Sequence, residues 1–110
     1  MTTFSGYRFM WVMVLFDLPV LSKRQRKRAQ KFRNDLLDLG FEMAQFSVYM
    51  KFCGSRPALD TITNVVERLV PPEGKVSVMS FTDKQYGAMR VFHGQALIPQ
   101  ESERGQLLLL

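Results

Sequence analysis

The chain has 110 residues, enough for one domain with its own core and too few for a second. Hydrophobic residues make up 46% of it and charged residues 23%, ordinary globular usage that excludes a disordered or collagen-like chain. Fifteen Lys and Arg against ten Asp and Glu give a net charge of +5, which favours a polyanionic partner without identifying it. The lone Cys53 excludes an intrachain disulfide, and Cys53 with His93 is too little for a zinc site of the usual Cys/His type, so a reducing, cytoplasmic setting is expected. The apolar run before Asp17 and the four C-terminal leucines are too short to span a bilayer, and neither carries the features of a signal peptide; no membrane partner is expected.

In chain order, the run Phe9 to Phe16 is apolar without alternation and reads as a strand buried on both faces, hence central in a sheet. Ser22 and Gln25 form a capping-box pattern and Gly40 a stop, so Lys23 to Leu39 reads as a helix with Ala29, Phe32, Leu36 and Leu39 on its apolar side. Phe41 to Phe46 and Ser47 to Cys53 read as two strands joined near Gln45-Phe46-Ser47. Ser55 and Pro57 open a second helix, with Leu59, Ile62, Val66 and Leu69 on one face, closed by Pro71-Pro72-Glu73-Gly74. Lys75 to Phe81 is a further strand, and a short segment from Thr82 to Met89 leads to a last strand at Arg90 to His93. A polar tail from Gln100 to Gln106 follows.

The order β-α-β-β-α-β with an extra C-terminal strand predicts an α+β, ferredoxin-like domain over residues 1–95 and a tail over 96–110. Both helices then cover one face of the sheet. The first strand nevertheless carries apolar side chains on both sides: Trp11, Met13 and Leu15 on one, Met10, Val12, Val14 and Phe16 on the other. One of those rows needs a cover, and a homodimer packed sheet against sheet supplies it most simply.

Asp17 ends the first strand, in the turn Asp17-Leu18-Pro19. Two readings of it stand: a turn residue bonding nearby amides, or a ligand for Mg²⁺, an ion that often takes only one or two protein carboxylates. On the sequence alone the turn reading ranks ahead, because a single aspartate is a weak motif; in a symmetric dimer the position occurs twice, and two carboxylates near the two-fold axis would make a more credible metal site. Between Ser22 and Arg33 lie Lys23, Arg24, Arg26, Lys27, Arg28, Lys31 and Arg33 with no acidic residue. A solvated helix face would normally use i,i+4 ion pairs, so binding to a phosphate backbone ranks ahead of it, and a membrane surface ranks third because the apolar stripe is needed for the sheet. Phe46, Tyr49 and Phe52 match no RNA-stacking pattern and read as core or interface residues. Ser47, Ser80 and His93 form no nucleophilic constellation and read as structural.

Four segments jointly resemble a known family: Leu15-Phe16-Asp17-Leu18-Pro19-Val20, Lys31-Phe32-Arg33 with Leu36-Leu37 and Gly40-Phe41, Gln45-Phe46-Ser47-Val48-Tyr49, and Thr82-Asp83-Lys84-Gln85-Tyr86. This is the small CRISPR-associated endoribonuclease family, the lesser subunit of the spacer-acquisition machinery, in the branch that accompanies type II systems. The resemblance runs from Arg8 to Gly94. It implies a ferredoxin-like homodimer whose C-terminal strand adds to the partner's sheet, a task open to Arg90 to His93 and Leu97-Ile98. It further implies a scaffold that binds duplex spacer DNA and bridges two dimers of the CRISPR integrase subunit. Asp17 matches the family's Mg²⁺ ligand and catalytic aspartate for cleaving RNA or DNA. A free-standing Mg²⁺-dependent endoribonuclease acting on single-stranded RNA is the alternative within the same fold.

Overall fold

The computed structural model describes residues 9–98, so the Gly6 and Arg8 flank, the polar tail from Gln100 and the terminal leucines lie outside the described residues. In chain order the described elements are β1 (Met10–Asp17), α1 (Lys23–Asp38), β2 (Glu42–Gln45), β3 (Val48–Phe52), α2 (Arg56–Leu69), β4 (Lys75–Thr82), α3 (Asp83–Gly87), β5 (Val91–His93) and β6 (Ala96–Ile98). The first four strands form one sheet in the order β2-β3-β1-β4, every neighbouring pair antiparallel. With the two long helices between its strands, this is the ferredoxin-like arrangement that the β-α-β-β-α-β order predicts.

Local chemistry sets the element ends where the sequence places them. Ser22 Oγ accepts the Gln25 amide at 3.0 Å and the Gln25 side chain returns to the Ser22 amide at 3.0 Å, a complete capping box at the start of α1. Gly40, at φ +93°, takes the chain out of the helix in a conformation that favours glycine. Ser55 caps α2, whose second residue is Pro57. The β2–β3 junction falls at Phe46-Ser47, with Ser47 at φ +65°.

The even-numbered side chains of β1, Met10, Val12, Val14 and Phe16, are buried beneath the helices with Phe32 and Leu36 of α1 and Leu59 and Val66 of α2. Phe41 and Tyr49 complete this cluster. Each such side chain contributes about 1.5–3 kcal/mol by leaving water, which is why the spacing of Phe32, Leu36, Leu59 and Val66 decides how the helices lie on the sheet.

The opposite face is partly covered from within the chain. The expectation of a bare second face is corrected at Trp11, which stacks on Tyr86 of α3 with centroids 3.8 Å apart, meets Phe52 edge-on at 5.3 Å and donates its indole N–H to Asp83 at 2.7 Å. α3 begins with its own capping box, Thr82 with Gln85, a signal present in the sequence but not used to predict a helix there. Beyond that corner the face stays open: Met13 and Leu15 are half-buried, and Met79, paired with Met13 across the strands, is 52% exposed.

The last strand expected at Arg90 to His93 is present as β5, but its partner is β6 in a separate two-stranded sheet, with Val91 opposite Ile98. β6 lies in the stretch read from sequence as tail. A lone hairpin of three-residue strands is marginal in water, and here it exposes Phe92 and Leu97. Among the described residues no helix is long and apolar enough to cross a membrane.

Candidate nucleic-acid interface and strand-end groove

Asp17 is the last residue of β1 and is exposed. Strand alternation puts it on the same side as Trp11, Met13 and Leu15, so its carboxylate belongs to the open face and not to the helix-covered core. Lys75 of β4 stands directly opposite. The neighbouring residue is tied down: the Phe16 amide donates to the Ser47 carbonyl at 3.0 Å, bringing the β2–β3 turn against the end of β1. The result is an open groove of about 400 Å³ lined by Leu15, Asp17, Phe46, Ser47, Lys75 and Ser77.

The loop after Asp17 is held from below. Gly74, at φ +92°, packs so closely that a Cβ there would lie 2.7 Å from the Asp17 carbonyl oxygen and 2.9 Å from Leu18 Cδ2. Next to it, Glu73 accepts from Gln25 at 3.2 Å and from Arg28 at 3.0 Å, joining α1 to the α2–β4 connection. Arg26 reaches back to the carbonyls of Val20 and Leu21 at 3.2 and 3.1 Å. Two of the basic residues expected to meet a partner therefore also shape the loop.

A resident Mg²⁺ is only half provided for in one chain. Among the described residues no three His, Cys, Asp or Glu side chains gather into a metal-binding group, and the cation of Lys75 stands opposite Asp17. One carboxylate with water ligands is the smaller of the sets that Mg²⁺ takes from a protein, and Asp17 is the carboxylate of this groove that could supply it.

The basic run is less uniform than its sequence. The expectation that it lacks counter-charges is corrected twice: Lys31 pairs with Asp35 at 2.8 Å one helical turn on, and Arg28 pairs with Glu73, distant in sequence, at 3.0 Å. Both pairs are solvent-accessible and worth at most about 1 kcal/mol, so they can yield to a phosphate. Lys23, Arg24 and Lys27 are exposed and make no ion pair with another described residue. They form the free cationic surface, at the helix end where the positive pole of the dipole adds to their charge.

Arg33 takes a different role, its guanidinium lying 5.4 Å from the Phe16 ring centroid and 4.7 Å from that of Phe46 while Nη2 donates to Ser47 Oγ at 3.2 Å. Of the three aromatics read as core or interface residues, Tyr49 is buried and Phe52 packs on Trp11, whereas Phe46 is no part of the core: it is 80% exposed at a turn tip. Phe46 lines the groove beside Asp17, and the only sequence signal for this was an aromatic residue at a strand junction, where small polar residues are usual. Cys53 packs against the core, and burial pushes its thiol up from the ordinary value, partly offset by Lys51. His93 and Ser80 lie away from the groove, on β5 and β4.

The family model described as CRISPR associated protein Cas2 matches residues 10–89. The chain belongs to the Cas2 family. It is 50% identical over 102 residues to a CRISPR-associated endoribonuclease Cas2 of Paracidovorax avenae, covering 93% of this chain and 94% of that one. A CRISPR-associated endoribonuclease Cas2 of Flavobacterium psychrophilum is 42% identical over 108 residues, covering 98% and 94%. A solved structure described as a crystal structure of cas2 is similar with a TM-score of 0.47 and 23% identity, over 66% of this chain and 75% of that one. The matched residues span β1 to α3 and include Asp17, the basic run and the Phe46-Ser47 turn of this Cas2 family member.

The close approach of Gly74 to Asp17 makes a direct prediction. Gly74→Ala forces both an unfavourable backbone angle and an overlap with the Asp17 carbonyl, costing about 1–3 kcal/mol and loosening amide protection in the loop after Asp17. Gly94→Ala, also at positive φ but with open space around it, keeps that loop intact. Chemical denaturation and hydrogen exchange distinguish the two.

Proposed function

We propose that this Cas2 family member is a homodimeric component of CRISPR spacer acquisition that binds duplex DNA and bridges dimers of the integrase subunit. The observation that carries the binding reading is the exposed cationic surface of Lys23, Arg24 and Lys27 at the start of α1, with Lys31 behind it. These side chains are long, flexible and cationic, which suits contact with phosphates along a backbone. Sheet-to-sheet pairing through the Met13 and Met79 face would present two such surfaces, one from each copy, to one duplex. The bridging role follows the family resemblance, and the relatives named above are themselves called CRISPR-associated endoribonucleases.

A second reading is favoured by the placement of Asp17. Its position on the open face lets a sheet-to-sheet dimer bring two copies of it together, and Lys75 lies beside it to hold a phosphate. The two Asp17 carboxylates would hold Mg²⁺, which would supply charge neutralisation and an activated water for phosphodiester cleavage of RNA or DNA. The chain's own part is to fix the carboxylates through the Phe16–Ser47 bond and the Gly74 contact, and to keep the nucleic acid in the groove.

With about three or four phosphates neutralised per chain, log K for duplex DNA should fall with log salt at a slope near −3 to −4 per chain. Arg24→Glu combined with Lys27→Glu weakens binding and flattens the slope, with the fold unchanged by circular dichroism; a salt-independent wild type would refute the binding reading. Spacer insertion reconstituted with the integrase subunit tests the second. Asp17→Ala is expected to retain insertion while losing Mg²⁺-dependent cleavage, and undiminished cleavage by the variant removes Asp17 from the chemistry.

A further inference from the structure

Phe46 stands out from everything the fold requires. It occupies a two-residue turn, a place where Gly, Asn, Asp or Ser meet the backbone's needs, and it leaves 80% of its surface in water. Its ring contributes little to the core. Yet the ring is not loose. The Arg33 guanidinium lies against it at 4.7 Å, the same guanidinium lies over Phe16 at 5.4 Å, and Phe16 packs on Tyr49 and Phe32 in the core at 5.6 and 5.1 Å.

Arg33 is committed to this arrangement. Its Nε is buried without a hydrogen-bond partner, an arrangement that costs free energy unless the rings on either side compensate, and its Nη2 fixes the Ser47 hydroxyl. The Ser47 carbonyl in turn accepts from Phe16, next to Asp17. One face of Phe46 is thus supported by a cation coupled to the core, and the other faces solvent at the mouth of the groove that holds Asp17 and Lys75.

We infer that Phe46 is a stacking platform for an unpaired nucleobase, and that Arg33 is the positioning residue that keeps it in place. A flat, sequence-tolerant aromatic surface next to a cation is the pattern by which proteins hold single strands: the base stacks and the phosphate meets the charge. Lys75 provides that charge here. The guanidinium beneath draws π density inward, so the outer face suits an electron-rich purine. A base within a duplex is already stacked on both sides and cannot use the platform, so the ligand class is single-stranded nucleic acid. This inference rests on the reading that the protein binds nucleic acid, and it adds a second site, distinct from the cationic start of α1, with a different strand preference.

Fluorescence anisotropy with labelled oligoadenylate, in ribose and deoxyribose forms, and with a duplex of mixed sequence tests it on full-length protein carrying Asp17→Ala, so that cleavage does not interfere. Phe46→Ala should weaken single-strand binding roughly five- to a hundredfold. Phe46→Trp should retain it, and both variants should bind duplex as the parent does and keep the parent's salt slope. A ribose arm affected more than the deoxyribose arm marks RNA as the ligand, the reverse marks DNA, and either supports the platform. Equal loss on duplex and single strand overturns it, as does unchanged single-strand binding by Phe46→Ala. Dissociation of a dimer by Phe46→Ala also overturns it, because the ring would then be a subunit contact. If the parent binds the duplex but no single strand, the platform fails alone; if it binds neither, the nucleic-acid reading fails with it.

Discussion

β1 is the constraint from which the rest of the structure follows. It sits between β3 and β4 and is apolar on both sides, so α1 and α2 are arranged to cover one of its faces and α3 covers the start of the other. The even-numbered side is fully covered by α1 and α2, with Val12 and Val14 completely buried. The odd-numbered side is covered only at its start, where Trp11 is closed over by Tyr86 and Phe52, and it opens progressively through Met13 and Leu15 to Asp17. The alternation of a strand leaves no freedom here: whatever covers Met13 and Leu15 comes close to Asp17 as well. Packing and chemistry are therefore linked through one strand.

The positive charge divides into structural and free parts by the same local logic. Arg26 and Arg28 hold the Asp17 loop and the α2–β4 connection, and Arg33 stacks between aromatic rings, while Lys23, Arg24 and Lys27 remain on the surface. Arginine's planar, multidonor fork suits the first group, since it can bond two carbonyls or lie flat on a ring. The second group, two lysines and one arginine on flexible exposed stems, can follow a phosphate backbone without fixed geometry. The accessible ion pairs of Arg28 and Lys31 are weak enough to exchange partners, so the cationic surface can widen when a polyanion arrives.

Most of the fold was legible because its signals are local. The capping box at Ser22, the stop at Gly40, the opening of α2 at Ser55 and the three- and four-residue steps of Phe32, Leu36, Leu59 and Val66 are each readable within a few residues. The Asp17 position was legible as a strand end. What escaped depends on contacts distant in sequence. Glu73 meets Arg28 only because the Pro71-Pro72 turn returns to α1, so no count of charges within the helix could show the pair. Phe46 lies outside the core because a tight turn and the guanidinium of Arg33 hold it out, which composition alone does not show. The pairing of β5 with β6 was missed because β6 was read as tail. α3 alone was a readable signal left unused, since Thr82 and Gln85 carry the capping-box spacing.

The central claim is that the open face of the sheet, with Met13, Leu15 and Met79 on it and Asp17 at its end, is where two copies of this chain meet. Sedimentation equilibrium of the wild type and of Met13→Glu measures it most directly, with circular dichroism to confirm the fold. The account predicts a wild-type dimer at micromolar concentration and a folded monomer for the variant, because a carboxylate at position 13 is tolerated in water but not buried unpaired in an apolar interface. A monomeric wild type, or a variant that dimerises as tightly as the parent, would contradict it.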